Sequence, residues 1–198
     1  MSGRYVKRFS RTERVLHWVN ALGFFALLAS GLVLYLPSLA TLVSRRQLVQ
    51  EVHFWSGIGW ICALALVLML GNRRRMLETA RELETLDADD LRWLAGRHTP
   101  QGRFNAGQKI NAALTAAFTL LFLMSGLLLW FGERNTRLRF ASTVVLHDGL
   151  MYVSLALLVG HLYLAVIHPA TRHALRGITV GTVSEEWATR HHAKWKPQ

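Results

Sequence analysis

Long apolar runs alternate along this chain with shorter polar, arginine-rich ones, and the apolar runs are too long for the core of a small soluble domain. Four stand out, at residues 15–36, 52–70, 110–131 and 143–168, and the only formal charge within them is Asp148. At about 1.5 Å of rise per residue, each is long enough to cross a hydrocarbon core of roughly 30 Å. In lipid the backbone must satisfy itself, so such runs fold as helices. Pro37 closes the first run and Pro169 follows the fourth. The pattern predicts an all-α integral membrane protein, a four-transmembrane-helix bundle forming a single membrane domain over residues 1–198. Residues 71–109 form the longest connection, and ETARELETLDADDLRWLAG within it has the makings of a surface helix.

Charge changes the picture by giving it a direction. The formal net charge is +11, which in a soluble protein would suggest nucleic acid. Here the bases sit between apolar runs, which points to charged loops on a membrane protein facing lipid, with no nucleic-acid partner. The N-terminus, the 71–109 loop and the C-terminal tail hold five, eight and five Lys and Arg, against two and three in the other loops. Positive charge marks the cytoplasmic side, so both termini and the long loop are expected there. Trp18, Trp55, Trp60 and Trp130 lie at or near run ends, where amphipathic rings favour the interface. Cys62 is the only cysteine, which excludes an internal disulfide and a four-cysteine iron–sulfur site on this chain alone. Nothing near the N-terminus reads as a cleavable signal, so the first run is expected to remain as a span.

Histidines supply the candidate chemistry. His147 and His161 share the fourth run, fourteen residues apart, which returns them to within roughly 40° of one helical face and separates them by ~21 Å. His17 enters the first span from the cytoplasmic side and His53 enters the second from outside. Depth then pairs His53 with His147 and His17 with His161, so each pair can bring two imidazoles to opposite faces of one haem iron. Intramembrane polar groups are costly and generally functional. Histidines packed between helices, lining a transporter's polar pathway, or decorating an anchor without cofactors are the alternatives. Ala21, Gly57, Gly149 and Gly160 offer room for a flat macrocycle or for close helix packing. His168 reads as interfacial beside Pro169, Asp148 as an interfacial carboxylate, and His98, His173, His191 and His192 as solvated or partner-facing.

Three segments, GRFNAGQK at 102–109, the H-x13-H fourth span and VSEEWATRHH at 183–192, resemble the gamma subunit, or cytochrome b556, of respiratory formate dehydrogenase. The resemblance runs from the His17–Trp18 pair onward. It implies a dihaem cytochrome b of the bacterial inner membrane with bis-histidine ligation by His17, His53, His147 and His161, in the pairs just given. It also implies a quinone pocket near the cytoplasmic haem, with Asn105, Gly107 and Gln108 in its motif. Asn105 would be the quinone-reducing residue. Its side-chain amide can meet a quinone oxygen, Gly107 permits close backbone approach, and Lys109 would mark the interface. The implied partners are an iron–sulfur beta subunit and a molybdenum or tungsten catalytic alpha subunit, in a heterotrimer that can associate further. Formate oxidation would lie off this chain. A hydrogenase or thiosulfate-reductase-type donor is the alternative complex. Glu185 and Glu186 stand where basic residues are expected in that family, which leaves the tail's contacts open.

Overall fold

The computed structural model describes residues 4–196. Four helices are long and apolar enough to cross a membrane: α1 (Arg11–Tyr35), α3 (Arg46–Leu70), α6 (Ala106–Gly132) and α7 (Ala141–Leu162), the last continued by a π-helical turn over Tyr163–Ile167. Shorter helices lie between and after them: α2 (Pro37–Ala40), α4 (Arg73–Glu84), α5 (Ala88–Leu94), α8 (Leu175–Thr179) and α9 (Glu185–His191). Large apolar side chains point outward along the long helices, among them Leu22, Leu120 and Val159 at 61–69% exposure. Lipid is the solvent for such surfaces.

The long helices begin before their apolar runs, at Arg11, Arg46, Ala106 and Ala141. Local capping accounts for two of these starts. The Ser10 hydroxyl accepts from the Glu13 N–H at 3.3 Å while the Ser10 N–H donates to Glu13 Oε2 at 2.6 Å. Asn105 and Gln108 repeat the exchange at the head of α6. Each reciprocal pair satisfies two of the donors a helix end leaves bare.

The described residues form two compact units. One is built from the residues up to 14, from 72–119 and from 153 onward. In it β1 (Tyr5–Lys7) pairs antiparallel with β2 (Thr182–Ser184), Val6 opposite Val183. Val183, Trp187 and Ala188 make its core, packed by Val6, Ala174 and Trp195. Gly181 turns the chain into β2 at φ +102°, a conformation L side chains rarely adopt. The expected single surface helix in the long connection is two helices instead. The first ends at Glu84; Asp87 accepts from the Asp90 N–H and Asp90 from the Asp87 N–H, a capping box that starts α5.

The other unit comprises residues 15–71 and 120–152. Phe54 and Trp130 stack at 3.9 Å with planes 8° apart, and the Arg134 guanidinium lies 3.7 Å above the Trp130 ring. Tyr152 donates to Tyr35 at 2.6 Å. Trp60, read from sequence as an interfacial ring, is buried against Gly23, where any Cβ would collide with the indole. Its Nε1–H has no partner among the described residues.

Candidate functional site

Two histidines meet in the second unit. His53 on α3 and His147 on α7 place their ring centroids 6.3 Å apart with planes at 72°. Each ring is held from behind by a serine on a different helix. Ser30 Oγ of α1 lies 2.9 Å from His53 Nδ1, and Ser125 Oγ of α6 lies 2.8 Å from His147 Nδ1. Each Oγ also lies near two backbone carbonyls of its own helix, Ser30 at 2.8 Å from Ala26 O and 3.2 Å from Leu27 O, Ser125 at 2.6 Å from Leu121 O and 3.3 Å from Phe122 O. A hydroxyl has one hydrogen; with it on a carbonyl, Oγ accepts from the imidazole Nδ1–H, the tautomer whose Nε2 lone pair can ligate.

The spacing suits iron between them. An imidazole nitrogen sits about 2 Å from a bound metal ion, and roughly 1.1 Å separates that nitrogen from its ring centre. Two such rings on opposite faces of one iron therefore place their centroids about 6 Å apart, as His53 and His147 do. The walls also make room. A Cβ at Gly31 would stand 3.4 Å from His53 Cε1, and one at Gly126 would stand 3.6 Å from His147 Cε1. Gly149, singled out for small size, faces open space within 4 Å, whereas Gly57 packs near Leu27. No group of three or more His, Cys, Asp and Glu forms a metal cage among the described residues. Two facing imidazoles are a donor set that would hold a haem iron, so the residues fit a haem.

His17 and His161 fall in different units. His17 lies on α1 with Trp18 edge-on to its ring at 5.4 Å. His161 lies in the last turn of α7, immediately before the π-helical turn, which the His168 N–H closes on Tyr163 O at 2.9 Å. His168 has local partners, with Tyr163 edge-on at 5.9 Å and Thr171 Oγ1 at 3.3 Å. Its extended ψ of 123° is the conformation imposed before a proline.

The Asn105 motif lies in the first unit. Asn105 Oδ1 accepts from the Gln108 N–H at 2.9 Å, and Gln108 Oε1 accepts from the Asn105 N–H at 3.1 Å. The cap commits the oxygen of Asn105 and leaves its amide NH2 without a bond among the described residues. Gly107 is where an aromatic ring approaches closely. A Cβ there would stand 3.4 Å from Trp93 of α5. Lys109, expected to mark the interface, has partners within its own unit. Its ammonium bonds Asp90 at 2.5 Å and Thr85 O at 2.9 Å, clamping α5 to the head of α6.

Around this head lies a charged network. Arg103 bonds Glu13 at 2.8 Å and Glu82 at 2.6 Å, and it also holds Thr79. Arg8 is buried with no carboxylate partner among the described residues, donating to Arg103 O at 2.8 Å and lying 5.0 Å from the Trp187 ring. Burial, with Arg103 nearby, pulls its pKa down to about 10. His192, expected to be solvated or partner-facing, is instead buried within the chain. It is 3% exposed, its Nδ1–H donates to Gly102 O at 2.6 Å, and Arg8 donates to its Nε2 at 3.3 Å. Burial first, and then the neighbouring Arg8 charge, pushes its pKa down to about 4.

The serines and their following glycines were missed from sequence, although a signal exists. ALLASGLVLY at 26–35 and LFLMSGLLLW at 121–130 carry Ser-Gly at the same place in the first and third spans. Each Ser-Gly serves a histidine on the helix that follows.

Comparison with known proteins adds identity at this point. A family model described as prokaryotic cytochrome b561 matches residues 8–181. The formate dehydrogenase cytochrome b556 subunit of Haemophilus influenzae is 23% identical over 95% of this chain and 81% of its own. The cytochrome b556(fdo) subunit of formate dehydrogenase from Escherichia coli is 24% identical over 96% and 91%. The nitrate-inducible formate dehydrogenase cytochrome b556(Fdn) subunit of the same species is 22% identical over 97% and 90%.

Proposed function

The chain belongs to the prokaryotic cytochrome b561 family, and from that premise we propose that it is the membrane-anchoring dihaem cytochrome b of a formate dehydrogenase. It carries electrons from an iron–sulfur subunit on the outer side of the bacterial inner membrane to quinone near the cytoplasmic side. A molybdenum or tungsten subunit oxidises formate, and the three chains form the working unit. The observation that carries this reading is the His53–His147 pair, each Nδ1 within hydrogen-bond distance of a serine and the two rings at a spacing that suits one iron. The formate donor is supported by the relatives named as cytochrome b556 subunits of formate dehydrogenases, which this chain matches over 81–91% of their own length.

His53 and His147 hold the outer haem b, and His17 and His161 hold the inner one. Each haem, when bound, supplies a one-electron carrier within the membrane. The protein's part is to hold the imidazoles as neutral ligands in an apolar surround and to bind quinone where protons are within reach. Asn105 is suited to that second task. Its oxygen is fixed by the α6 cap, so its amide is left to donate to a quinone oxygen. That bond strengthens as the oxygen gains electron density, so it favours the reduced form. Quinone takes up two protons with two electrons, and with both termini and the 71–109 loop inside, those protons come from the cytoplasm. Formate oxidation outside releases protons there. Inward electron flow and opposed proton chemistry then build a proton-motive force with no proton channel.

The test is the complex purified from membranes. Formate should reduce two b-type haems, and quinone should reoxidise them. A haem-free chain that still anchors the dehydrogenase would overturn the reading. A hydrogenase as the copurifying catalytic subunit would replace the donor and leave the rest.

A further inference from the structure

We propose that Ser30 and Ser125 are positioning residues of the His53–His147 site, fixing each ligand's tautomer and setting how strongly its imidazole donates to iron. The proposal rests on the haem reading above. Serine in an apolar helix commonly returns its hydroxyl to the carbonyl a turn back and does nothing more. Both serines make that bond. Each Oγ also lies within hydrogen-bond distance of a histidine Nδ1, at 2.9 Å and 2.8 Å. A back-bond that takes the hydroxyl's only hydrogen leaves the serine to accept from an Nδ1–H. Turned the other way, a serine donating to Nδ1 would leave the proton on Nε2 and block ligation.

The arrangement occurs twice on different helices. Ser30 of α1 serves His53 of α3, Ser125 of α6 serves His147 of α7, and the next residue, Gly31 or Gly126, stands against the same ring's Cε1. Two helix pairs thus present equivalent ligands from opposite sides, each backed by an uncharged acceptor. A ligand's outer partner sets its basicity and its orientation. A neutral hydroxyl enriches the imidazole less than a carboxylate would, so it stabilises the ferric state only modestly. Losing it leaves an Nδ1–H unpaired in an apolar interior, a ring free to turn, and a weaker electron donor.

The experiment uses the full chain purified with its partners, as Ser30→Ala, Ser125→Ala, the double variant, and Ser30→Thr and Ser125→Thr. The readouts are haem per chain, haem retention against apomyoglobin, and an equilibrium redox titration. Each alanine variant should retain the outer haem about 10- to 100-fold less well while the inner haem stays bound, which reports an intact fold. Outer haem that remains should shift toward the ferrous state, by up to about tenfold in the ferric/ferrous ratio, or about 59 mV for one electron. Threonine keeps the hydroxyl and should restore both properties. Alanine variants with wild-type retention and potential, in a chain that binds two haems, would overturn this proposal alone, as would threonine variants that behave like alanine. A wild-type chain without haem would overturn the haem reading and this proposal with it.

Discussion

Asn105 has two jobs in this account, and one substitution separates them. As the cap of α6 it needs a side-chain acceptor for the Gln108 N–H; as a quinone ligand it needs its amide donor. Asn105→Asp keeps the acceptor, adds charge that favours a helix N-terminus, and deletes the donor. Asn105→Ala deletes both. Loss of the cap alone costs about 1 kcal/mol. A hydrogen bond to an oxygen acquiring charge contributes about 1.5–3 kcal/mol, or about tenfold to a hundredfold in rate. The aspartate variant should therefore unfold at or above the wild-type temperature yet reoxidise its haems with quinone about 10- to 100-fold more slowly. The alanine variant should be slow and about 1 kcal/mol less stable. The assay is stopped-flow reoxidation of the formate-reduced complex over a range of quinone concentrations, beside thermal unfolding. Wild-type reoxidation by the aspartate variant would reduce Asn105 to a helix cap and move the pocket elsewhere.

Gly126→Leu should lose the outer haem and spare the inner one, because even a Cβ at 126 stands 3.6 Å from His147 Cε1; a full complement of both haems in that variant would count against the cradle. His192 has a pKa near 4 in the docked tail against an ordinary 6.5. Between those values the released tail binds more protons, so docking weakens as pH falls through that window, by on the order of 3 kcal/mol in full. Hydrogen exchange over residues 182–196 should report this, and His192→Gln should flatten it; identical pH curves for the two proteins would assign the dependence to other groups. A reporter fused to the C-terminus should be active in the cytoplasm, and activity only in the periplasm would reverse the orientation drawn from the basic loops.

The four membrane-length helices are legible in the sequence because lipid leaves a 20-residue apolar run few options. The histidines are legible for a related reason, since polar groups rarely sit in such runs without a task. The Ser-Gly steps escaped notice because serine and glycine are ordinary packing residues in membrane helices. Their meaning appears only when Ser125 Oγ is seen between His147 Nδ1 and Leu121 O. The long connection misled for another reason. Lys109 reads from sequence only as an interface marker, and nothing in its local sequence names Asp90 of α5 as its buried partner. The burial of His192 depends likewise on Arg8 and Gly102, both far away along the chain.

Haem counting on the histidine variants tests the central claim most directly. Pyridine haemochrome assay of the purified chain should give two haems b in the wild type. It should give one in His53→Ala, one in His147→Ala, and still one in the double variant, because the proposed pairing has the two rings share a single iron. Two haems retained in either single variant, or none in the double, would contradict the pairing on which the account is built.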